Sequence, residues 1–251
     1  SAHDPRRFWT QALSYATAAR GACHNRSLPP GVSSDEFVRQ KAEHVDRWIR
    51  ESAGAGEFCY LDFGCGNGRL FRFLLDSSTL APLLAGGRLR LFGVEPSAES
   101  LVEAKRISGD NRVCFARRVQ ELPASIRFDL VVSCNVFHHI PPSERAATAD
   151  ALRARMKPNA NLVIWEHNPF NPLSRLLVKF CPFDEDACLL TLAGARRLLA
   201  ENGFRHVKHA YVNLFPPSWQ RLKFVSRIES RLAGLPVGAQ YWVMVASHEV
   251  R

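Results

Sequence analysis

No apolar run in this sequence of 251 residues approaches the ~18 that a bilayer-crossing helix needs, so no membrane span is expected. The opening residues, SAHDPRRFWT, lack the apolar core of a secretory leader. No CxxC pair occurs among the seven cysteines, at 23, 59, 65, 114, 134, 181 and 188, and their number is odd. That pattern speaks against a disulfide framework or a zinc site and for reduced, buried thiols in a cytoplasmic protein. Glycine and proline, 15 each, show no excess, which excludes collagen-like and low-complexity chains. With 46% hydrophobic and 23% charged residues the chain is not disordered. Acids are the scarcer sign, 24 against 33 Lys and Arg, and the net +9 favours polyanions or anionic membrane surfaces as neighbours without bearing on fold.

No repeat and no linker is visible, so one domain over 1–251 is expected, with a helical cap (1–57), a core (58–205) and C-terminal strands around a basic insert (206–251). Five apolar runs punctuate the core: Phe58 to Phe63, Leu89 to Val94, Arg112 to Ala116, Phe128 to Ser133 and Asn161 to Trp165. Helical patterns near 69–76, 97–108, 142–157 and 191–202 alternate with them, the rhythm of a parallel sheet covered on both faces. Thr191 reads as an N-cap and Gly203 as a C-terminal stop for the last of these helices. Ser34 to Glu51 reads as a helix among two or three before the first strand, packed over the sheet edge or the open end of the site. Two more strand-like runs follow, His206 to Phe215 and Gln240 to Ser247.

The most informative stretch is Leu61-Asp62-Phe63-Gly64-Cys65-Gly66-Asn67-Gly68-Arg69, a strand running through alternating glycines into a helix. Glycines allow the tight turn and close approach of a ligand, and free amides at the helix start favour negative charge. The GxGxG spacing, with Asp62 two residues before the first glycine, suits a ligand bearing an ammonium and a sulfonium better than a pyrophosphate. Glu95 closes the second strand, where an acid can accept both hydroxyl protons of a ribose. It follows Gly68 by 27 residues, beyond the ~20 of dinucleotide folds, because of the loop Ser77 to Gly87.

These motifs, with ELPASIRFDLVVSCNVFHHI, MKPNANLVIWEH and LLAENGF, resemble the class I S-adenosylmethionine-dependent methyltransferases over roughly residues 58 to 205. The resemblance implies a Rossmann-like, doubly wound α/β sheet of seven mostly parallel strands with the last antiparallel. It implies S-adenosylmethionine as cofactor and S-adenosylhomocysteine as product. Asp62, Gly64, Cys65, Gly66 and Gly68 would hold the methionyl end, Glu95 the ribose, and Pro96 would flank the adenine. Family members usually carry an Asp for the adenine amine where this chain has Arg118, so a backbone contact near Val119 or Gln120 takes its place. Cys134 and Asn135 would lie under the methionine moiety.

Methyl transfer is an in-line displacement that needs an aligned, desolvated nucleophile, and a hydroxyl nucleophile gains from a His base. His138 and His139 follow the fourth strand. A His in the place of His139 is common in the family, which implies a structural role there and leaves His138 to face the acceptor. The fifth strand leads into Trp165-Glu166-His167-Asn168-Pro169-Phe170-Asn171-Pro172. Glu166 and His167 could orient an acceptor or supply a base; equally, the segment could be a turn whose Asn side chains bond the backbone. Asp184, Glu185 and Asp186 could hold Mg²⁺, but an acidic helix start is the favoured reading and no metal is expected.

Trp219 to Leu232 reads as a basic amphipathic helix. Core packing with a solvated basic rim is the expected arrangement, a membrane-surface helix the alternative. With the apolar segment Leu173 to Phe183 it could roof an apolar pocket. The expected function is methyl transfer to a small-molecule or lipid-like acceptor, at a hydroxyl. A nucleic-acid methyltransferase is the first alternative, suggested by the charge but lacking the Asn/Asp-Pro-Pro-aromatic motif at Ser133 to Phe137. A non-catalytic cofactor-binding scaffold is the second. The sequence leaves the oligomeric state open.

Overall fold

The computed structural model describes residues 33–247 apart from 110, 182, 183, 185 and 186. Cys23, any helix before residue 33, and the expectations placed on Glu185, Asp186 and the end of the 173–183 segment lie outside the described residues.

Seven strands form one sheet: β1 (Phe58–Phe63), β2 (Leu89–Val94), β3 (Val113–Ala116), β4 (Phe128–Cys134), β5 (Met156–His167), β6 (Phe204–Val212) and β7 (Gln240–Ser247). Their order is β3-β2-β1-β4-β5-β7-β6. All neighbours are parallel except β7, which runs antiparallel between β5 and β6. The sheet reverses direction of build between β1 and β4, the place where such folds bind ligands at the carboxyl ends of the strands.

Local chemistry explains the elements. β1, β2 and β7 are buried almost throughout, as strands covered on both faces must be. The edge strand β6 is instead mostly part-buried or exposed and carries Arg205 and Lys208 in solvent. Helix α1 (Ser34–Ser52) starts where the Ser33 side chain accepts from the Asp35 amide, with Asp35 and Glu36 in its first turn. Helices α2 (Arg69–Leu75), α3 (Ala81–Ala85), α4 (Ala98–Ser108) and α5 (Arg145–Arg153) follow, then α6 (Pro172–Phe180), α7 (Leu192–Glu201) and α8 (Lys223–Leu232). Thr191 caps α7 through a bond from the Gly194 amide, and Gly203 ends it with φ +76°.

One core layer joins Leu61, Phe92, Phe128, Phe137 and Leu199; the other face holds Val45, Ile49, Phe71, Trp165 and Trp242. α1 lies on that second face and not on the sheet edge, with Trp48 against the rings of Trp165 and Trp242. Its burial of Trp48 and Ile49 fixes where Lys41, two turns earlier, must point. The basic helix starts later than its apolar pattern suggests. A short 3₁₀ turn, Pro217–Arg221, precedes α8, and only Val225 of α8 is buried. Among the described residues no helix is long and apolar enough to cross a membrane.

Candidate active site

The glycine loop leaves β1 after Phe63 and enters α2 at Arg69. Gly64, Gly66 and Gly68 have φ of +78°, +55° and +73°. A Cβ on Gly68 would lie 2.9 Å from that of Ala104, so α2 and α4 meet only over a hydrogen atom. At Gly66 nothing lies within 4 Å of such a Cβ, so the loop has an open side. The Gly64 and Cys65 amides donate to Val94 O at 2.8 and 3.0 Å and lock the loop onto β2.

Glu95, buried, accepts from the Gly66 amide at 3.0 Å and the Ser97 amide at 3.1 Å. Asp62 is buried too. Burial raises its carboxyl to about 7; Lys41 opposes the rise and Glu95 adds to it. Lys41, from α1, is buried with its ammonium 5.8 Å from the Trp165 ring centre. It is a site residue the sequence reading missed, because no motif surrounds it. Beyond Glu95, Pro96 O accepts from Arg117 Nε at 3.0 Å. Arg118 turns away to pair with Glu121 at 2.8 Å. Val119 is buried and Gln120 exposed in the 3₁₀ turn after β3. Cys134 is half-buried at the end of β4, and Asn135 follows it at φ +56°.

Beside this cleft the ends of β4 and β5 carry a buried polar cluster. Glu166 Oε1 accepts from the Val136 and Phe137 amides at 3.0 and 2.7 Å, and Oε2 accepts from His138 Nδ1. The carboxylate is fully buried and ties the loop after β4 to the end of β5. On the far side of His138, Nε2 is 3.5 Å from Asp184 Oδ1. Burial opposes a charge on His138, yet Glu166 and Asp184 lift it to about 9. The two carboxylates thus favour the protonated ring.

His138 was expected to be the freer of the two histidines; it is 1% exposed, while His139 is 30% exposed and 3.4 Å from Asp184. The reason is the Glu166 carboxylate, which draws the first ring inward. His167 ends β5 with its ring centre 5.4 Å from that of His138. Burial lowers it to about 3, and its buried Nδ1 has no hydrogen-bond partner. Asn168 and Asn171 bond the backbone, to Pro236 O and Gly238 O and to Val237 O, so that part of the segment is a stiffened turn. Asp184 is drawn to the histidines.

The family model for a methyltransferase domain, Methyltransf_12, matches residues 61–162. Residues 61–162 therefore read as a methyltransferase domain.

Other methyltransferases share its fold. The protein-lysine N-methyltransferase efm4 of Schizosaccharomyces pombe is 27% identical over 152 residues, 54% of this chain. The match spans 62% of that relative's length. Magnesium protoporphyrin IX methyltransferase from Synechocystis PCC 6803, solved with bound S-adenosylmethionine, superposes with a TM-score of 0.57 at 17% identity, covering 98% of this chain and 99% of that one. N-methyltransferase NodS from Bradyrhizobium japonicum WM9, solved with S-adenosylhomocysteine, gives 0.56 at 13% identity over 92% and 99%. The residues of this methyltransferase domain fit such a ligand: an open glycine loop, a buried acid for a cation, and a second acid at the ribose position.

Proposed function

We propose that this chain transfers a methyl group from S-adenosylmethionine to a hydroxyl of a small, apolar or lipid-linked acceptor. Asp62 takes the ammonium of the methionyl moiety and Lys41 its carboxylate. Glu95 exchanges its two backbone partners for the ribose hydroxyls, and Arg117 braces Pro96 beside the adenine. The backbone near Val119 and Gln120 meets the adenine amine, and Cys134 and Asn135 floor the methionyl end. Bound there, the cofactor supplies an electrophilic methyl on a sulfonium.

The chain's own contribution is on the acceptor side. Glu166 holds the 136–138 turn and His138 in place. His167, the neutral member of the cluster and a weak base, takes the proton once the oxygen–methyl bond has formed and the sulfur–methyl bond has broken, when the oxygen is a strongly acidic oxonium. The buried walls exclude water from that step.

One observation carries the acceptor class. Leu173, Leu176 and Phe180 on α6, and Trp219, Leu222 and Phe224 before and on α8, are each at least 50% exposed. α6 begins just past His167, and the Asn168 and Asn171 bonds tie its start to the turn behind α8. Gln40, beside Lys41, bonds Gln220 at 3.0 Å, so the same rim borders the cofactor side. An apolar rim with Arg175, Lys179, Lys223, Arg227 and Arg231 exposed around it suits a greasy acceptor delivered from an anionic membrane surface. Core packing of α8 does not account for that exposure.

The named relatives act on a protein lysine and a porphyrin, so the fold leaves the acceptor open. The test is a methyl-labelled incubation with a fractionated cell extract. Base-stable label in the organic phase supports the reading. Label in protein or RNA, or none anywhere, overturns it.

A further inference from the structure

Among the described residues, one nitrogen each of His138 and His167 and one carboxylate oxygen of Asp184 lie within 4.8 Å of one another. His167 ends β5 and α6 begins five residues later, so the cluster adjoins the segment proposed above to meet the acceptor. Their surroundings are those of a prepared ligand set. His138 Nδ1 is already tied to Glu166, so its Nε2 is the atom left for a cation, and the ring cannot rotate. A carboxylate behind a ligating imidazole is the usual way proteins fix a metal-binding tautomer. Glu166 is itself pinned by two amides, which makes the whole branch rigid. His167 is 8% exposed, and a buried imidazole nitrogen without a partner is costly unless something binds it.

We propose that His138, His167 and Asp184 bind one first-row divalent transition ion, zinc being the probe of choice, with Glu166 as the positioning carboxylate behind His138. Two imidazoles and one carboxylate favour zinc, iron or cobalt over magnesium or calcium, which prefer oxygen alone. Ligands at ~2.0–2.1 Å from zinc stand about 3.3 Å apart in tetrahedral geometry. Asp184 and His138 are 3.5 Å apart already, so the ring of His167 has the furthest to move. Three protein ligands leave a position open, the arrangement of metal sites that act on a substrate.

The inference deepens the reading of the acceptor side and gives the open position a use. With the ion in place, an acceptor hydroxyl taking the open position would lose its proton to solvent as it binds, before the walls close off water, and His167 would serve as ligand and not as base. The ion stays divalent throughout, and no electron is exchanged with it.

The site stands on geometry alone and is tested without turnover. Protein stripped with a chelator is titrated with zinc, and with cobalt(II) for its absorption spectrum. The expected result is one ion per chain. His167→Ala and Asp184→Asn should each weaken binding at least 100-fold, and Glu166→Gln ~10–100-fold, the cost of losing an outer-shell partner. Melting followed by circular dichroism shows that a variant is folded, and Asp184→Asn stands in if His167→Ala is not. A surface pair, His206 and His209, lies 3.0 Å apart on β6 and is the competing site. Stoichiometry unchanged in the double variant His206→Ala, His209→Ala supports the buried site. No binding by the native chain, equal binding by the folded variants, or loss on removing the β6 pair overturns it. None of these outcomes touches the cofactor reading, which S-adenosylhomocysteine binding tests separately.

Discussion

At the end of β1 the cleft is made of backbone; at the ends of β4 and β5 it is made of side chains. The first region turns on glycines, with amides of Gly64 and Cys65 fixed to Val94 O and the Gly66 amide given to Glu95. Its contacts arise within short spans of sequence, and it needs few side chains to work. The second region gathers Val136 to His139, Glu166, His167 and Asp184, separated by up to 48 positions, through one fully buried carboxylate. A backbone-made site is tolerant of its surroundings and suits a ligand shared by a whole family. A site made of buried side chains is exacting, and it suits an acceptor particular to this chain.

If that contrast is right, the largest effect should come from the hub of the second region. Glu166→Ala leaves two backbone amides and the His138 ring without their acceptor in a dry interior. Loss of one partner of a buried ionic pair costs about 3–5 kcal/mol, and urea unfolding should read a loss of that order. A loss under about 1 kcal/mol would mean the second region is not built on Glu166.

Next comes Glu95→Ala in the first region. A charge-assisted hydrogen bond contributes about 1.5–3 kcal/mol, so affinity for S-adenosylhomocysteine should fall roughly 10–100-fold by calorimetry. Acceptor-side variants should leave that affinity nearly unchanged, which is the sharpest separation of the two regions.

A smaller effect follows from Asp62. Burial puts its carboxyl at about 7, and a cationic ligand requires the ionised form. Affinity for S-adenosylhomocysteine should therefore level off about one pH unit above that value and fall below it, by up to about tenfold per pH unit, as each binding event must release a proton. Asp62→Asn should weaken binding and flatten the profile. A native profile that is flat between pH 5.5 and 7 would contradict the placement of Asp62.

The smallest effect on the fold belongs to the rim. Leu176→Ser with Phe224→Ser should change stability by no more than about 0.5 kcal/mol each, since both residues are more than half exposed. The same pair should lower binding to vesicles containing anionic lipid, read by co-sedimentation.

The sequence made the first region legible because its devices are local. The runs Phe58 to Phe63, Leu89 to Val94 and Gln240 to Ser247 are strands with those bounds, and Asp62, the glycines and Glu95 stand together as their spacing suggests. β5 runs longer than its apolar run, from Met156 to His167: pairing with β7 carries it past Trp165, and at its start Met156 pairs with Phe128 of β4. The second region was half legible. His138, Glu166 and His167 were candidates, but which ring is buried depends on a carboxylate 28 residues away. Asp184 was hidden within an acidic run that looks like a helix start, and Lys41 in a helix with no motif. The exposed face of α8 was misjudged because apolar periodicity does not say whether another element covers the stripe.

Calorimetric titration of the native chain with S-adenosylhomocysteine, beside NAD and beside Glu95→Ala, tests the central assignment most directly. The account predicts one S-adenosylhomocysteine bound per chain, a 10–100-fold weaker complex in Glu95→Ala, roughly as one lost charge-assisted bond requires, and no heat with NAD. Binding of NAD, or equal affinity in Glu95→Ala, would contradict it.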